Sequence, residues 1–203
     1  MRRSKEDSLK TRQRIVLAAR RVFARRGVSQ TSIEHVARAA GVTRGAVYGH
    51  FKGKDALFQC MREQVRLPLV DVMNEELLHR PDDPLGGVER YLLAVLEAMG
   101  SDGATRDTFH ILNFKCEYVG TMADDMENQA LRMADLADKL ETAYRAASRR
   151  GMLRKGLSPR LAALNTSAFL LGLIRMWLMD GSGMLVRNEA EDLVQAHVAR
   201  LRP

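Results

Sequence analysis

The chain has 203 residues, of which 46% are hydrophobic and 5% aromatic, so it can bury the core of one domain or of two modest ones. The N-terminus runs directly into charged sequence without an apolar signal core, and the longest late apolar run, residues 168–174, ends at Arg175. These features argue against secretion and membrane spanning and favour a cytoplasmic protein. Cys60 and Cys116 are far apart, so we expect no metal site and two reduced thiols that act as small buried hydrophobes.

The positive charge is concentrated in the first third of the chain. The net charge is +7, but residues 1–66 hold 16 Lys and Arg against 5 Asp and Glu, whereas residues 67–203 hold 16 against 20. This division indicates an anionic partner for the N-terminal part and favours nucleic acid over membrane. Four arginines of this part, Arg20, Arg21, Arg25 and Arg26, are expected to be solvated on an exposed helix face.

Helical periodicity predicts two helices before residue 41. The first carries the apolar stripe Ile15, Ala19, Val22 and Phe23 and ends at Gly27. Residues 31–34 have the spacing of a capping box, with Thr31 as the N-cap and Glu34 reaching back. The second helix then runs to about Ala40, with Ile33, Val36, Ala37 and Ala40 directed inward.

A turn and a short polar helix follow. Gly41 supplies the turn residue and Thr43 an N-cap, which together predict a helix-turn-helix. Val47 and Phe51 are expected to pack inward, because they are four residues apart on one helix face. The opposite face then carries Arg44, Gly45, Tyr48 and Gly49. Two glycines on a helix surface lower helix propensity and allow close approach, as the major groove of DNA requires.

The rest of the chain also reads as helices. A fourth helix opens at Gly53, with Leu57 and Met61 on one side and a bend or end near Pro68. Two later helices have the apolar stripes Val88, Leu92, Val95, Leu96 and Met99, and Met133, Leu136, Ala137, Leu140 and Tyr144. The remaining helix-length segments are 105–118, the helix 122–151 that carries the second stripe, a helix opened by Ser158-Pro159 through Leu164, Ala168, Leu171, Arg175 and Leu178, and 188–200. We therefore predict an all-α fold of about nine helices, with a helix-turn-helix DNA-binding domain at residues 1–54 and a second helical domain at residues 55–203.

Residues 11–58 closely resemble the TetR family of bacterial transcription regulators. The resemblance rests on the first apolar stripe, the Ala40-Gly41-Val42 turn, the Tyr48-x-His50-Phe51 step and Lys54 followed by Leu57. The second half resembles the AcrR/TtgR subgroup, whose members typically repress drug-efflux operons, through residues 114–118 and 172–178. The resemblance implies a ligand-responsive repressor that acts as a homodimer on a palindromic operator in bacterial cytoplasm, associates with the nucleoid when it binds DNA, and is released by small hydrophobic effectors.

The helix-turn-helix yields a set of candidate DNA contacts. Arg44 can bind guanine bidentately, Thr43 and the amides behind it suit a phosphate, and Gly45 and Ala46 permit close approach. Tyr48 and His50 match family positions that bind the phosphate backbone, and Lys54 would add a charge at the start of the fourth helix. Thr31 and Ser32 could touch a neighbouring phosphate. Gly49 departs from the bulky aromatic common at its family position, so we expect specificity to depend more on Arg44 and on DNA shape.

The resemblance also implies that residues 55–203 form an effector-binding and dimerisation domain, with an effector cavity and a dimer interface. Cavity candidates are Leu92, Leu93, Leu96, His110, Asn113, Phe114, Met133, Leu136, Leu140, Ser167, Leu170, Leu171 and Ile174. The polar members are the stronger candidates, because a buried polar side chain needs a partner that a ligand could supply. Interface candidates are Met176, Trp177, Leu185, Leu193 and Val194, and the alternative is that these residues pack on their own domain.

Other classes of function have less support in the sequence. An enzyme is disfavoured because the chain has no phosphate-binding glycine loop, no HExxH and no nucleophile with its base, and we expect no cofactor. Regulation of a metabolic operon and redox sensing through Cys60 or Cys116 remain alternatives.

Overall fold

The computed structural model describes residues 5–80, 82–117, 123–183 and 185–203. The predicted helix limits at Tyr118 and Met122 lie outside these residues. The described ranges contain nine α-helices and no strand, which confirms the all-α prediction. The helices are α1 Lys5–Arg26, α2 Ile33–Ala40, α3 Arg44–Tyr48, α4 Lys54–Leu78, α5 Pro84–Ser101, α6 Gly103–Phe114, α7 Ala123–Arg149, α8 Pro159–Met179 and α9 Ala190–Ala199.

The ends of these helices follow from local chemistry. α1 ends at Gly27, whose φ of +82° is a left-handed conformation that glycine adopts without steric cost. Ser158 caps α8 by accepting a hydrogen bond from the Leu161 amide, and Pro159 occupies the first turn, as predicted. The prediction near Pro68 is corrected in part, because α4 continues through this proline to Leu78.

The chain divides into two compact units. The first unit comprises Met1–Leu67 with Asp102–Asp124, and the second unit comprises Pro68–Ser101 with Asp125–Pro203. Both units are discontinuous in sequence, because α6 belongs with α1 to α3 and the beginning of α4. The functional boundary predicted at residue 54 concerns the roles of the two parts and stays a prediction.

A single apolar core supports the first unit. Phe23 and Phe58 meet edge to face with ring centroids 5.9 Å apart, and Ile15, Val47 and Met61 are fully buried around them. α1 packs against both α2 and α6. Two of its faces are therefore covered, and this corrects the expectation for Arg20. Its side chain is buried and bonds Thr108 and Gln64, whereas Arg21, Arg25 and Arg26 are exposed as predicted.

The second unit buries the predicted stripe of α5 completely: Val88, Leu92, Val95, Leu96 and Met99. In α7, Ala137, Leu140 and Tyr144 are buried and Leu136 is half-buried, but Met133 is 40% exposed. The prediction that Met133 belongs to the inward stripe is therefore wrong for the single chain. α5 also packs against α9, so the C-terminal helix is part of this core.

By length and composition alone, α8 is an exception to the expectation that no segment spans a membrane. It has 21 residues and a mean hydropathy of 1.5 in its most apolar window. A core helix of a soluble protein passes the same test, and α8 has seven buried residues: Ala162, Ala163, Thr166, Ser167, Leu170, Leu173 and Ile174.

Candidate nucleic-acid interface

α2, a tight turn and α3 form a helix-turn-helix. Gly41 has a φ of +62° and its amide bonds back to the end of α2, which turns the chain sharply after Ala40. Thr43 then caps α3, because its Oγ1 accepts a hydrogen bond from the Ala46 amide at 3.1 Å. Both features agree with the sequence prediction.

The predicted capping box of α2 is shifted by one residue. Ser32, not Thr31, is the N-cap, and its Oγ accepts from the His35 amide at 3.3 Å. The His35 Nδ1 accepts from the Ser32 amide at 3.2 Å, so histidine replaces the Glu34 that was expected to reach back. Thr31 is 3% exposed and donates its hydroxyl to the Gly27 carbonyl at 2.7 Å. It is therefore not accessible for the predicted phosphate contact.

The outward side of α3 is formed by Arg44, Gly45, Tyr48 and Gly49, which are all exposed, and we call it the recognition face. Val47 and Phe51 are buried in the core, as predicted. A Cβ at Gly45 would have one neighbouring heavy atom within 4 Å, the Thr43 Oγ1 at 3.9 Å. Packing inside the chain therefore does not require glycine there, and the DNA contact predicted for Gly45 stays a prediction.

Arg44 is held by residues of two helices. Its Nη1 donates to the Glu34 Oε1 at 2.8 Å, and its guanidinium lies 5.4 Å from the centre of the Tyr48 ring. The Nη2 to Tyr48 Oη distance is 3.5 Å. These contacts raise the pKa of Arg44, first through the hydrogen bond with Tyr48 and then through the negative charge of Glu34. The candidate base-reading side chain thus has a defined direction before any DNA is present.

The other predicted DNA contacts differ in accessibility. Thr43 is exposed, whereas Ser32, Ala46 and His50 are half-buried. The Lys54 Nζ donates to the carbonyls of Val28 at 2.9 Å and Ser29 at 3.2 Å. Two of its three donors therefore connect the start of α4 to the turn after α1, a structural role that the sequence did not indicate.

Both cysteines are free and half-buried. The expectation of buried thiols is therefore met only in part, although both side chains pack against the core of the first unit. The Arg12 Nη2 lies 3.0 Å from the Cys60 Sγ, and the Arg12 guanidinium also lies 4.9 Å from the centre of the Phe51 ring.

The predicted effector residues are divided between the two units. His110, Asn113 and Phe114 lie on α6 in the first unit, and the other ten lie in the second unit. The Asn113 Nδ2 donates to the Phe109 carbonyl at 2.9 Å, and the Ser167 Oγ donates to the Ala163 carbonyl at 2.9 Å. These two polar groups therefore have partners within their own helices, so their need for a ligand is weaker than the sequence argument assumed.

The second unit contains an open cavity of about 580 Å³. Its lining residues are Leu93, Leu96, Glu97, Gly100, Ser101, Trp177, Arg187, Ala190 and Glu191. Of the predicted effector residues, only Leu93 and Leu96 line this particular cavity. The indole of Trp177 and the guanidinium of Arg187 could not be assigned to it from sequence, because they are brought together by the segment between α8 and α9.

The described part of α8 presents a second apolar face that is not covered within the chain. It includes Leu161, Leu164, Leu171, Met176 and Met179, which are between 39% and 65% exposed. Of the predicted interface residues, Met176, Leu185 and Leu193 are exposed and Trp177 is half-buried. Val194 is fully buried inside the second unit, so it packs on its own domain.

Family comparisons cover both parts of the chain. Residues 15–61 match the model for bacterial regulatory proteins of the tetR family. Residues 83–203 match the model for the C-terminal region of MAATS-type transcriptional repressors. The chain is also similar to the HTH-type transcriptional regulator AcrR of Shigella flexneri, with 34% identity over 95% of this chain and 90% of that protein.

Two solved structures have the same fold over nearly the whole chain. One is NalD, the secondary repressor of the MexAB-OprM multidrug efflux pump in Pseudomonas aeruginosa, with a TM-score of 0.85, 36% identity and 98% coverage of both chains. The other is the complex of SmeT with triclosan, with a TM-score of 0.83, 27% identity and coverage of 96% of this chain and 92% of that chain. SmeT is the repressor of the Stenotrophomonas maltophilia multidrug efflux pump SmeDEF.

Proposed function

We infer that this chain, which belongs to the TetR family of bacterial regulatory proteins, is a ligand-responsive repressor of transcription. The observation that carries the inference is the recognition face, where an exposed arginine and two glycines lie on a short helix that a tight turn holds against α2. Regulators of this family are not enzymes. A cytoplasmic location, with nucleoid association in the DNA-bound state, follows from this function.

DNA recognition is assigned to the recognition face and its flanks. Arg44 reads guanine through its paired N–H donors, and Gly45 and Gly49 allow the helix to approach the base edges. Thr43, Tyr48, His50 and Ser32 are proposed to contact the phosphate backbone, where they position the helix without reading sequence. Ala46 is proposed to permit close approach, as Gly45 does. Lys54 contributes a positive charge near the phosphate backbone. Its ammonium has one donor for a phosphate, because the other two bond the carbonyls of Val28 and Ser29.

The regulated genes are proposed to be a multidrug efflux operon, and the effector a small hydrophobic molecule. NalD and SmeT are repressors of efflux pumps, and the solved complex of SmeT holds triclosan. Within this chain, the predicted effector residues Leu92, Leu96 and Leu140 are buried and apolar, which suits a hydrophobic ligand. By linkage, an effector that releases the operator must bind more weakly when the operator is bound, by a factor that is typically about 5 to 150.

The repressor is proposed to act as a homodimer that reads two halves of a palindromic operator. Dimers are typical of the family, and the uncovered apolar face of α8 is the surface that supports the proposal here. One recognition face per subunit then accounts for two half-sites.

Fluorescence anisotropy with a labelled duplex from the gene's own upstream region tests this function. The protein is expected to bind this duplex more tightly than a scrambled duplex, with affinity that falls as salt rises. Arg44→Ala should reduce the ratio of the two affinities by about tenfold or more, the value of one bidentate guanine contact per half-site. The exposed Arg154 of the second unit provides a control of equal charge, and Arg154→Ala should keep the ratio. Failure to bind either duplex at low salt would refute a DNA-binding function.

A further inference from the structure

We propose that Glu34 is a positioning residue for base recognition, because its carboxylate fixes the Arg44 guanidinium and leaves one hydrogen-bonding edge of that group for a guanine. The inference rests on the proposed function, since it requires that Arg44 reads a base of the operator. It assigns a role in sequence discrimination to a residue of α2, outside the recognition face itself.

Contacts from two helices hold the guanidinium of Arg44. Glu34 lies in the first turn of α2, and Arg44 is the first residue of α3. The Arg44 Nη1 to Glu34 Oε1 distance is 2.8 Å, and the ring of Tyr48 lies under the same guanidinium at 5.4 Å. One contact comes from the preceding helix and the other from the next turn of α3, so the side chain is held from two directions.

The pair leaves the donors that a guanine needs. An arginine has five N–H donors in a planar fork, and guanine accepts two parallel hydrogen bonds at O6 and N7. Glu34 takes one donor at Nη1, and Nη2 has only the long contact with the Tyr48 hydroxyl. Within the described residues, Nε makes no hydrogen bond. The Nε and Nη2 edge is therefore available, and a side chain that is already held loses less rotamer freedom on binding.

Two simpler roles for Glu34, a stabilising ion pair and a helix cap, do not account for this carboxylate. The side chains of the pair are 58% and 56% exposed, and exposed ion pairs add little to folding stability. Glu34 is also not needed as a cap, because Ser32 and His35 fill both positions of the capping box. A carboxylate beside a DNA-binding face repels phosphates and so weakens affinity for any sequence. Its effect on the direction of Arg44 is the contribution that can offset this loss.

Two substitutions separate the charge of Glu34 from its position. Glu34→Gln and Glu34→Ala both remove the negative charge, but only glutamine keeps an oxygen acceptor at the same reach. The affinities for the labelled upstream duplex and for a scrambled duplex are measured at one salt concentration. Both variants should bind the scrambled duplex more tightly and to the same extent. Glu34→Ala should lower the ratio of the two affinities by on the order of three- to tenfold, as expected for coupled neighbouring side chains, whereas Glu34→Gln should keep most of it.

A double-mutant cycle with Arg44→Ala identifies the route of the effect. In the Arg44→Ala background, Glu34→Ala should cause no further fall in the ratio, because the side chain that it positions is gone. An unchanged ratio in Glu34→Ala alone, or an equal fall in both backgrounds, would overturn the inference while the repressor function stands. If the wild-type chain does not distinguish the two duplexes, the proposed function fails, and the inference fails with it.

Discussion

The side chain of Arg20 places a charged guanidinium in the interior of the first unit, where it needs hydrogen-bond partners. Its Nε donates to the Thr108 Oγ1 at 3.1 Å and its Nη2 to the Gln64 Oε1 at 3.2 Å, so α1 is joined to both α6 and α4. Desolvation lowers its pKa, and the charges of Asp102 and Asp107 oppose this effect. A buried cation of this kind is tolerated only because its donors have partners, so truncation should weaken the contacts of α1 with its neighbours.

Replacement of Arg20 by alanine is expected to lower the free energy of unfolding by about 2 kcal/mol, since one buried hydrogen bond, one part-buried hydrogen bond and the packing of the side-chain stem are lost. Arg21→Ala is the matched control, because Arg21 is the exposed neighbour on the same helix. It should change stability by less than about 0.5 kcal/mol. Urea unfolding followed by circular dichroism at one protein concentration measures both. Equal stability of the two variants would show that the buried bonds contribute nothing.

The sequence patterns correctly predicted the environment of those residues whose surroundings are formed by near neighbours in the sequence. The inward positions of α2, the turn at Gly41 and the cap at Thr43 all depend on residues within one helical turn. The environment of Arg20 depends on α6, which lies more than 80 residues away in sequence, so a helical stripe could not reveal it. The shifted cap at Ser32 has another cause, because Thr31 and Ser32 are both competent caps and histidine is not part of the usual capping-box pattern.

At the scale of elements, a series of two side-chain hydrogen bonds joins α7, α8 and α9. The Tyr144 hydroxyl lies 2.7 Å from the Thr166 Oγ1, which lies 2.8 Å from the His197 Nε2. The His197 ring also stacks on Phe169 with centroids 4.2 Å apart. If Nε2 accepts from the Thr166 hydroxyl, the Thr166 Oγ1 can in turn accept from the Tyr144 hydroxyl, so both contacts pair one donor with one acceptor. This arrangement requires neutral histidine.

The stability of the protein should depend on pH through these hydrogen bonds of His197. Burial, and then the positive charge of Arg200, lower the pKa of His197 below its ordinary value of 6.5. As pH falls through that value, the unfolded state binds the proton first, so the contribution of neutral His197 is present above about pH 6.5 and is lost below it. We expect the free energy of unfolding to fall between about pH 7.5 and pH 5.5, and to fall less in His197→Gln.

The matched control for this measurement is His79→Gln, which removes an exposed histidine of the same unit. This variant should lose as much stability as the wild type over the same pH range. If His197→Gln loses as much as the control, the pH dependence arises elsewhere, and the bonded histidine does not contribute to it.

Element boundaries were predictable where a residue stops the helix by its own chemistry. Gly27 and Ser158-Pro159 are of this kind, and both predictions are confirmed. Pro68 does not stop its helix. Proline removes one backbone N–H donor, but the other residues of α4 continue the helix to Leu78. The described part of α1 begins at Lys5, ten residues before the first apolar position of its predicted stripe. This shows the same limit, since a polar helical segment has no hydrophobic pattern to detect.

At the scale of the whole molecule, the family and the fold followed from the sequence, but the membership of the compact units did not. The sequence suggested one division along the chain, whereas α6 completes the first unit from a position after α5. Such an arrangement depends on contacts between residues distant in sequence, which no local pattern encodes. The effector residues are harder still, because the same buried leucines serve a core and a hydrophobic pocket equally well.

The uncovered face of α8 has a consequence for assembly. At about 100° per residue, Leu161, Leu164, Leu171, Met176 and Met179 lie within an arc of about 140° around the helix axis, so they share one side of the helix. A monomer with this surface in water would expose a contiguous apolar patch, and a second copy of the same face would cover it. Operator affinity then depends on assembly, because two linked recognition faces bind two half-sites more tightly than one face alone.

Met176→Glu should therefore dissociate the dimer and weaken operator binding together. Two-fold symmetry places both new carboxylates in one apolar interface, and their desolvation should weaken dimerisation by roughly tenfold or more.

Leu131→Glu is the control, because it introduces the same charge at a 63% exposed apolar residue of α7, outside the α8 face. Light scattering after size exclusion should give twice the chain mass of 22.8 kDa for wild type and control, and a lower mass for Met176→Glu on dilution. Anisotropy with the upstream duplex should show the matching loss of affinity in Met176→Glu alone. A Met176→Glu protein with the mass and the affinity of the control would place the dimer interface on another surface.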